Sequence, residues 1–461
     1  MNVSNTCLWA CVALAMGACT PDSTDPPPDR PTPDHTGDPD TQHEVEDSGE
    51  PDTYPRPDNI LLVVWDTVRA DHLSAYGYPR DTTPRLTEIA QSSTVFAQAT
   101  PGSYWTVSSV ASLFSGMFTH NHRVDYDIGT TGYALDEGIT TMAEALADRG
   151  YHTALYTNQA LVHGTDTFAQ GFDEWSFLAS TDIAPTTIER MDDPQHEPWF
   201  VVAYWMGAHA PYNPPEEYDL WAVDGVDDIN VTGCEGIDPS QYPEGWTCFN
   251  HLNSGDVEWT DREWSYVRAL YDAEVRQHDD WLGQLWDALE QRGLSDTTLF
   301  AFTSDHGEAL NDHGDMRAWH VWPTDDTQQV PLVVRFPGVF PATVHQDAVR
   351  TMDLYATFMR LTGGPATHPM DSRSLTQVVN GPSSDRVSVG ATIAGDGRQW
   401  YRHDGYKIIY SREREEDNVQ QLFDLTSDGT EQTNLWDSMP DKVEELKAAH
   451  AAYLEETAIN R

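Results

Sequence analysis

The chain has 461 residues, 39% hydrophobic and 11% aromatic with 16 Trp, which supplies a large core and excludes a wholly disordered chain. Its 75 acidic residues against 26 basic ones, a formal charge of −49, argue against a nucleic-acid binder and against docking on an anionic membrane through a basic patch. The lysines are Lys407, Lys442 and Lys447, so anion chemistry in the first 406 residues must use Arg, His, metal ions or backbone amides.

Leu8 to Ala18 is an apolar run too short to span a bilayer and suited to the core of an export signal. It ends in Met16-Gly17-Ala18-Cys19, which resembles a bacterial lipoprotein signal with a lipidated Cys19; cleavage after Ala13-Leu14-Ala15, releasing the protein, is the alternative. Residues 1–19 are read as this signal, giving an exported protein in the periplasm or at the cell surface, with membrane contact only through the anchor. Residues 20–58 hold ten of the 29 prolines and twelve acidic residues against two arginines. Such a stretch cannot bury enough surface to offset its ordering entropy and reads as a disordered acidic tether. Extended at ~3.1 Å per residue, it reaches on the order of 100 Å.

Ile60 to Trp65 is a continuous apolar run, as expected of a parallel strand covered on both faces. Further on, Val107, Val110, Ala111 and Phe114 share one helical face, making Thr106 the first polar residue of a helix. It is either a simple cap or a hydroxyl at a helix N-terminus, where an anionic group is favoured. Thr141 to Arg149, ending at Gly150, and Tyr271 to Arg292, ending at Gly293, read as helices. Phe200 to Trp205, Leu299 to Phe302 and Leu332 to Val334 read as further buried strands. Between them lie Cys234 and Cys248 in a Gly/Pro/Asp-rich insertion, read as one disulfide of an oxidising compartment, with two unpaired thiols as the alternative. Asp441 to Thr457 reads as an amphipathic surface helix.

Alternating strands and helices imply an α/β domain with a mainly parallel sheet, whose ligands gather at the carboxyl ends of the strands. There the sequence places Asp66-Thr67, His209 and Asp305-His306, three polar groups after three apolar runs, a credible site for a divalent cation. His120, His122 and His313 are read either as supports for ligands or as loop packing. Trp205, Trp221, Trp246, Trp259 and Trp264 are read as core and loop packing rather than a carbohydrate platform.

Residues 59 to 456 resemble the sulfatase family of the alkaline-phosphatase superfamily, in order. The resembling segments are Asn59–Tyr78, Trp105–Gly116 with His120-Asn121-His122, Ala208–Tyr212, Phe302–Gly314 and Val330–Gly338. Tyr406–Tyr410, Leu422–Leu425 and Asn434-Leu435 resemble the family's small C-terminal subdomain, an antiparallel sheet closed by a helix. The resemblance implies a catalytic domain over 59–380 and a subdomain over 381–461. It further implies metal ligation by Asp66, Asp305 and His306, a metal-bound nucleophile at Thr106, and His209 and His320 near the substrate.

Three departures touch the sulfate-specific machinery. The Cys/Ser-x-Pro-x-Arg motif that yields formylglycine reads Thr106-Val107-Ser108-Ser109-Val110, so no formylglycine is expected. Thr67 replaces the second Asp of the usual pair, and the lysines that hold sulfate have no counterpart before Lys407. The remaining set, Asp66, Thr106, Asp305 and His306, resembles that of phosphoglycerol transferases of the lipoteichoic acid synthase type. The expectation is a metal-dependent hydrolase or transferase carrying one Mn, Mg, Zn or Ca ion. Its substrate would be a small-molecule, glycan or lipid-headgroup ester, with phosphate favoured over sulfate. A catalytically silent surface binding protein on the same fold is the alternative.

Overall fold

The computed structural model describes residues 54–124, 135–162, 168–221, 258–313, 318–320, 322–364, 368–381, 388–391, 398–411 and 420–459. The signal, nearly all of the tether, Cys19, Cys234, Cys248 and Trp246 lie outside them. Among the described residues no helix is long and apolar enough to cross a membrane.

Among the described residues the large sheet has eight strands, in the order β10 (Thr343–Arg350), β2 (Thr94–Thr100), β9 (Val330–Arg335), β6 (Thr298–Ser304), β1 (Asn59–Trp65), β5 (Trp199–Trp205), β3 (His152–Thr157) and β4 (Glu174–Phe177), and a separate ribbon pairs β7 (Ala309–Leu310) with β8 (Ala318–Trp319). At its centre β1 (Asn59–Trp65) pairs in parallel with β5 (Trp199–Trp205) on one side and β6 (Thr298–Ser304) on the other. All three strands are buried throughout, which is why they read as unbroken apolar runs. The β3 (His152–Thr157) and β4 (Glu174–Phe177) strands extend the parallel array. On the far flank β9 (Val330–Arg335) runs antiparallel to both β6 and β2 (Thr94–Thr100), and β10 (Thr343–Arg350) closes the edge. The sheet is therefore mainly parallel with one reversed strand, which an apolar run alone does not reveal.

The register matters most for function. Trp65 pairs with both Trp205 and Ser304, so β1, β5 and β6 end at the same level. Asp66 and Asp305, each one residue past its strand, are thereby brought side by side.

The helix before β6 spans Asp261–Gln291, beginning ten residues earlier than its apolar pattern predicts. Thr260 accepts from the Glu263 amide while the Glu263 carboxylate accepts from the Thr260 amide, a reciprocal cap legible as Thr-x-x-Glu. Its Trp264, Val267, Tyr271, Val275, Leu282, Leu285 and Leu289 join β1, β5 and β6 in the main core. The helix Met142–Ala147 has the same kind of cap from Thr141 and Glu144, and is followed at Gly150 by a left-handed residue.

A second sheet, four antiparallel strands in the order β11-β12-β13-β14, spans Ser388–Ala391, Arg398–His403, Tyr406–Ser411 and Gln421–Asp424. The helix Pro440–Glu456 packs Val443 and Leu446 against Tyr401, Ile408 and Leu422 of this sheet.

Candidate active site

Asp66, Asp305 and His306 are all buried, with one potential ligand atom from each lying within 4.8 Å of the others. The Asp305 carboxylate is fixed on both sides. Its Oδ1 accepts the Thr67 amide at 3.2 Å and the His306 amide at 2.8 Å, and its Oδ2 accepts the Tyr204 hydroxyl at 2.8 Å. Thr67 has a positive φ of 60°, a left-handed conformation uncommon outside glycine, in which its amide reaches Asp305. The Thr67 hydroxyl is turned back onto the Asp66 carbonyl. Asp66 accepts the Gln159 side-chain amide on Oδ2, while its buried Oδ1 has no hydrogen-bond partner among the described residues.

The histidine tautomer follows from its neighbour. His306 Nδ1 lies 3.0 Å from the Gly307 carbonyl, which can only accept, so Nδ1 carries a proton and, in the neutral ring, Nε2 presents a lone pair. That lone pair faces Asp66 Oδ1 at 3.6 Å and Asp305 Oδ2 at 3.4 Å. Burial, then the Asp305 carboxylate, pushes the Asp66 carboxyl well above the usual range. An imidazole nitrogen and two carboxylate oxygens converging in a buried site form a donor set that a divalent ion fits.

Thr106 is the first residue of the helix Thr106–Ser115, whose N-cap position is Trp105. Its hydroxyl therefore does not cap. It lies 3.1 Å from His306 Nε2 and, given that tautomer, donates to it. The helix is buried along its length, and Ser109 on the next turn donates to the Asp305 carbonyl at the back of the site. The first amides of such a helix have no intrahelical acceptor and face the same region as Thr106.

His209 reaches the site because Gly207 has a φ of +62° and passes so close to Asp66 that a Cβ there would lie 2.0 Å from the Asp66 carbonyl. His209 Nδ1 donates to the Ala210 carbonyl, and its ring centroid is 5.1 Å from that of His320, which is 4.5 Å from His306. Burial lowers His209 to about 4, and burial followed by His306 and His209 lowers His320 well below its ordinary value, shifts that favour the neutral imidazole in both. The structure brings all six candidate residues, Asp66, Thr106, His209, Asp305, His306 and His320, into one cluster.

Several neighbours carry no signal in the sequence reading: Gln159, Tyr204 and Glu308. Glu308 is fully buried with a carboxylate oxygen 3.6 Å from His320 Nδ1, and burial raises its carboxyl well above the usual range. Other candidates lie apart. His122 ties Ser112 to the Val124 amide, His120 meets Thr457, and His313 faces Asp326 at 3.6 Å. Trp205 and Trp264 are core residues, Trp205 stacking on Trp281. The buried Arg69 pairs with Asp71 and Asp312 rather than facing the cluster's centre. Lys407 is buried between Asp325 and Glu431, each at 2.7 Å.

Comparison with known proteins identifies the family and the fold. The sulfatase family model matches residues 58–364. The chain is 22% identical to arylsulfatase K of Xenopus laevis over 79% of this chain and 76% of that one. It is 25% identical to an ulvan-active sulfatase of Formosa agariphila, over 83% and 77%. Among solved structures, the phosphonate monoester hydrolase of Agrobacterium radiobacter superposes with a TM-score of 0.67 at 20% identity, covering 87% of this chain and 95% of that one.

Proposed function

The chain belongs to the sulfatase family, and from that membership we propose a metal-dependent ester hydrolase or transferase whose nucleophile is Thr106, with phosphate esters favoured over sulfate esters. The observation that carries the reading is the Thr106 hydroxyl, buried on the first turn of its helix and directed at His306 Nε2 beside Asp66 and Asp305. A divalent cation held by Asp66, Asp305, His306 and Thr106 would neutralise charge on nonbridging ester oxygens and favour the deprotonated hydroxyl.

Thr106 Oγ1 forms the new bond to phosphorus as its proton passes to an imidazole lone pair, and the bond to the alcohol oxygen breaks with its electron pair passing to that oxygen, which takes the proton from the imidazolium so formed. Burial favours the neutral rings of His209 and His320, whose lone pairs can accept that proton and, in the second step, the proton of the acceptor water or alcohol, which then returns to Thr106 Oγ1 as the phosphoryl group leaves it. Val110 and the absence of lysine before Lys407 support phosphate over sulfate, since neither an aldehyde-supporting arginine nor a sulfate-holding lysine is at hand. The likeness to both sulfatases and a phosphonate monoester hydrolase fits a site able to serve either ester class.

The test is a panel of aryl sulfate, phosphodiester and phosphonate ester substrates, each with Mn, Mg, Zn and Ca. Turnover of the phosphodiester or phosphonate supports the reading, and turnover of the sulfate alone overturns it. No turnover together with no bound metal would favour the silent binding protein. Export with lipidation at Cys19 is proposed on the sequence alone; loss of fatty-acid labelling in Cys19→Ala is the expected result.

A further inference from the structure

The loop after β3 drew no functional reading from the sequence, yet it reaches the centre of the site. Gln159 is 3% exposed, and its side chain makes two contacts that fix its orientation. Oε1 accepts the Leu161 amide at 3.1 Å, so the NH2 group must face Asp66, where it donates to Oδ2. The loop itself is braced. The Gln159 amide donates to Thr157 Oγ1 at 2.9 Å, the Asn158 NH2 donates to Ser180 Oγ at 2.8 Å, and Asn158 Oδ1 accepts the Met206 amide at 2.7 Å. Met206 directly follows β5, so the bracket is anchored to a strand that flanks β1.

We propose that Gln159 is a positioning residue that holds Asp66 as a one-oxygen ligand and thereby sets which divalent cation the site prefers. The inference rests on the reading of Asp66, Asp305 and His306 as a cation centre. With Oδ2 engaged by Gln159, Asp66 turns only Oδ1 toward His306 Nε2. Asp305 is also restrained, its Oδ1 taken by two backbone amides, while its Oδ2, which accepts the Tyr204 hydroxyl, lies 3.4 Å from His306 Nε2. Two one-oxygen carboxylates, an imidazole nitrogen and the Thr106 hydroxyl make four donors.

Calcium takes six to eight oxygens and commonly uses both oxygens of a carboxylate, whereas zinc is satisfied by four mixed N/O donors. Imidazole in the set also suits zinc or manganese over calcium. An amide is the right group for the restraint. It donates to a buried carboxylate without adding a third negative charge beside Asp66 and Asp305.

The experiment is calorimetric titration of chelator-stripped full-length protein with Zn2+, Mn2+ and Ca2+, for wild type, Gln159→Met and Gln159→Glu. Wild type should bind Zn2+ and Mn2+ more tightly than Ca2+. Gln159→Met should weaken Zn2+ and Mn2+ by roughly 10- to 100-fold, the usual effect of removing a hydrogen-bond partner from a metal ligand, and narrow their lead over Ca2+. Gln159→Glu should move the preference further toward Ca2+ by adding carboxylate oxygens. If Gln159→Met does not fold, judged by its metal-free melting transition, the Zn2+/Ca2+ ratio of Gln159→Glu decides alone. Wild-type affinities and ratios in the folded variants overturn the role of Gln159 while leaving the centre intact. Failure of wild type to bind any of the three ions overturns the centre itself.

Discussion

Thr106 Oγ1 and His306 Nε2 lie 3.1 Å apart although 200 residues separate them in the chain. The contact exists because a helix N-terminus is set against the carboxyl end of β6, and it gives the hydroxyl a partner within the site instead of a backbone amide to cap. Thr106→Ala should therefore lower kcat by roughly 10^3-fold or more, in the range seen when a nucleophile is deleted. Thr106→Ser should keep measurable turnover, since it retains the oxygen. Steady-state kinetics on the best substrate of the ester panel decide the matter; wild-type turnover in Thr106→Ala would reduce the residue to a packing role.

Tyr204, on β5, donates its hydroxyl to the Asp305 carboxylate at 2.8 Å. Its removal would free Oδ2 to turn and would leave a cation bound there a less ordered ligand. Tyr204→Phe should weaken metal affinity by about 10-fold. The readout is activity against metal concentration: the half-saturating concentration rises, and turnover at saturating metal stays near wild type. A shift in turnover alone, at unchanged metal dependence, would contradict this account.

The central strands and the residues just beyond them were legible because β1, β5 and β6 are buried on both faces and end in register, so apolar runs point directly at Asp66, His209 and Asp305. Gln159 escaped that rule for a physical reason. Its strand, His152–Thr157, mixes polar and apolar residues, and the group that follows is a neutral amide rather than an ionisable one. Applying the same end-of-strand logic to β3 would have found it. Glu308 sits two residues past His306 in plain view, but nothing in the sequence says that a loop folds back to bury it against His320. The reversed direction of β9 was illegible because a strand buried on both faces has the same composition whichever way it runs.

Lys407, the first lysine in the chain, serves structure. It is 1% exposed, between Asp325 and Glu431. Burial alone would raise the Asp325 carboxyl, but Lys407 and Arg402 override it and hold it at about 2. Lys407→Met would take the cation from buried Glu431 and leave the partly buried Asp325 facing Arg402 at 3.7 Å, and should cost about 3–5 kcal/mol in urea denaturation. The segment Asp325–Gln328 also carries Thr327, whose carbonyl accepts the Gly307 amide beside His306, so activity should fall with stability. Adding Glu431→Leu removes one uncompensated charge and should recover part of the loss; a double variant no better than the single would mean that packing, not charge, governs the site.

Asp279 offers a pH-dependent test away from the metal centre. Its carboxylate is fully buried on the helix Asp261–Gln291 and accepts the Arg85 and Leu86 amides at the start of the helix Pro84–Ala90, at 2.7 and 2.9 Å. Burial outweighs those two hydrogen bonds and raises the carboxyl from its ordinary 3.8 to about 7. A carboxyl with a folded-state value above its unfolded one favours the fold in its protonated form. Its contribution is complete below about pH 4, shrinks as the unfolded chain ionises, and is gone once pH passes the folded value near 7. Asn at this position cannot ionise but can still accept an amide N–H. The stability of Asp279→Asn relative to wild type should therefore rise steadily between pH 4.5 and pH 7.5 in paired urea melts. A difference that stays flat across that range would show that Asp279 keeps its ordinary acidity in the folded protein.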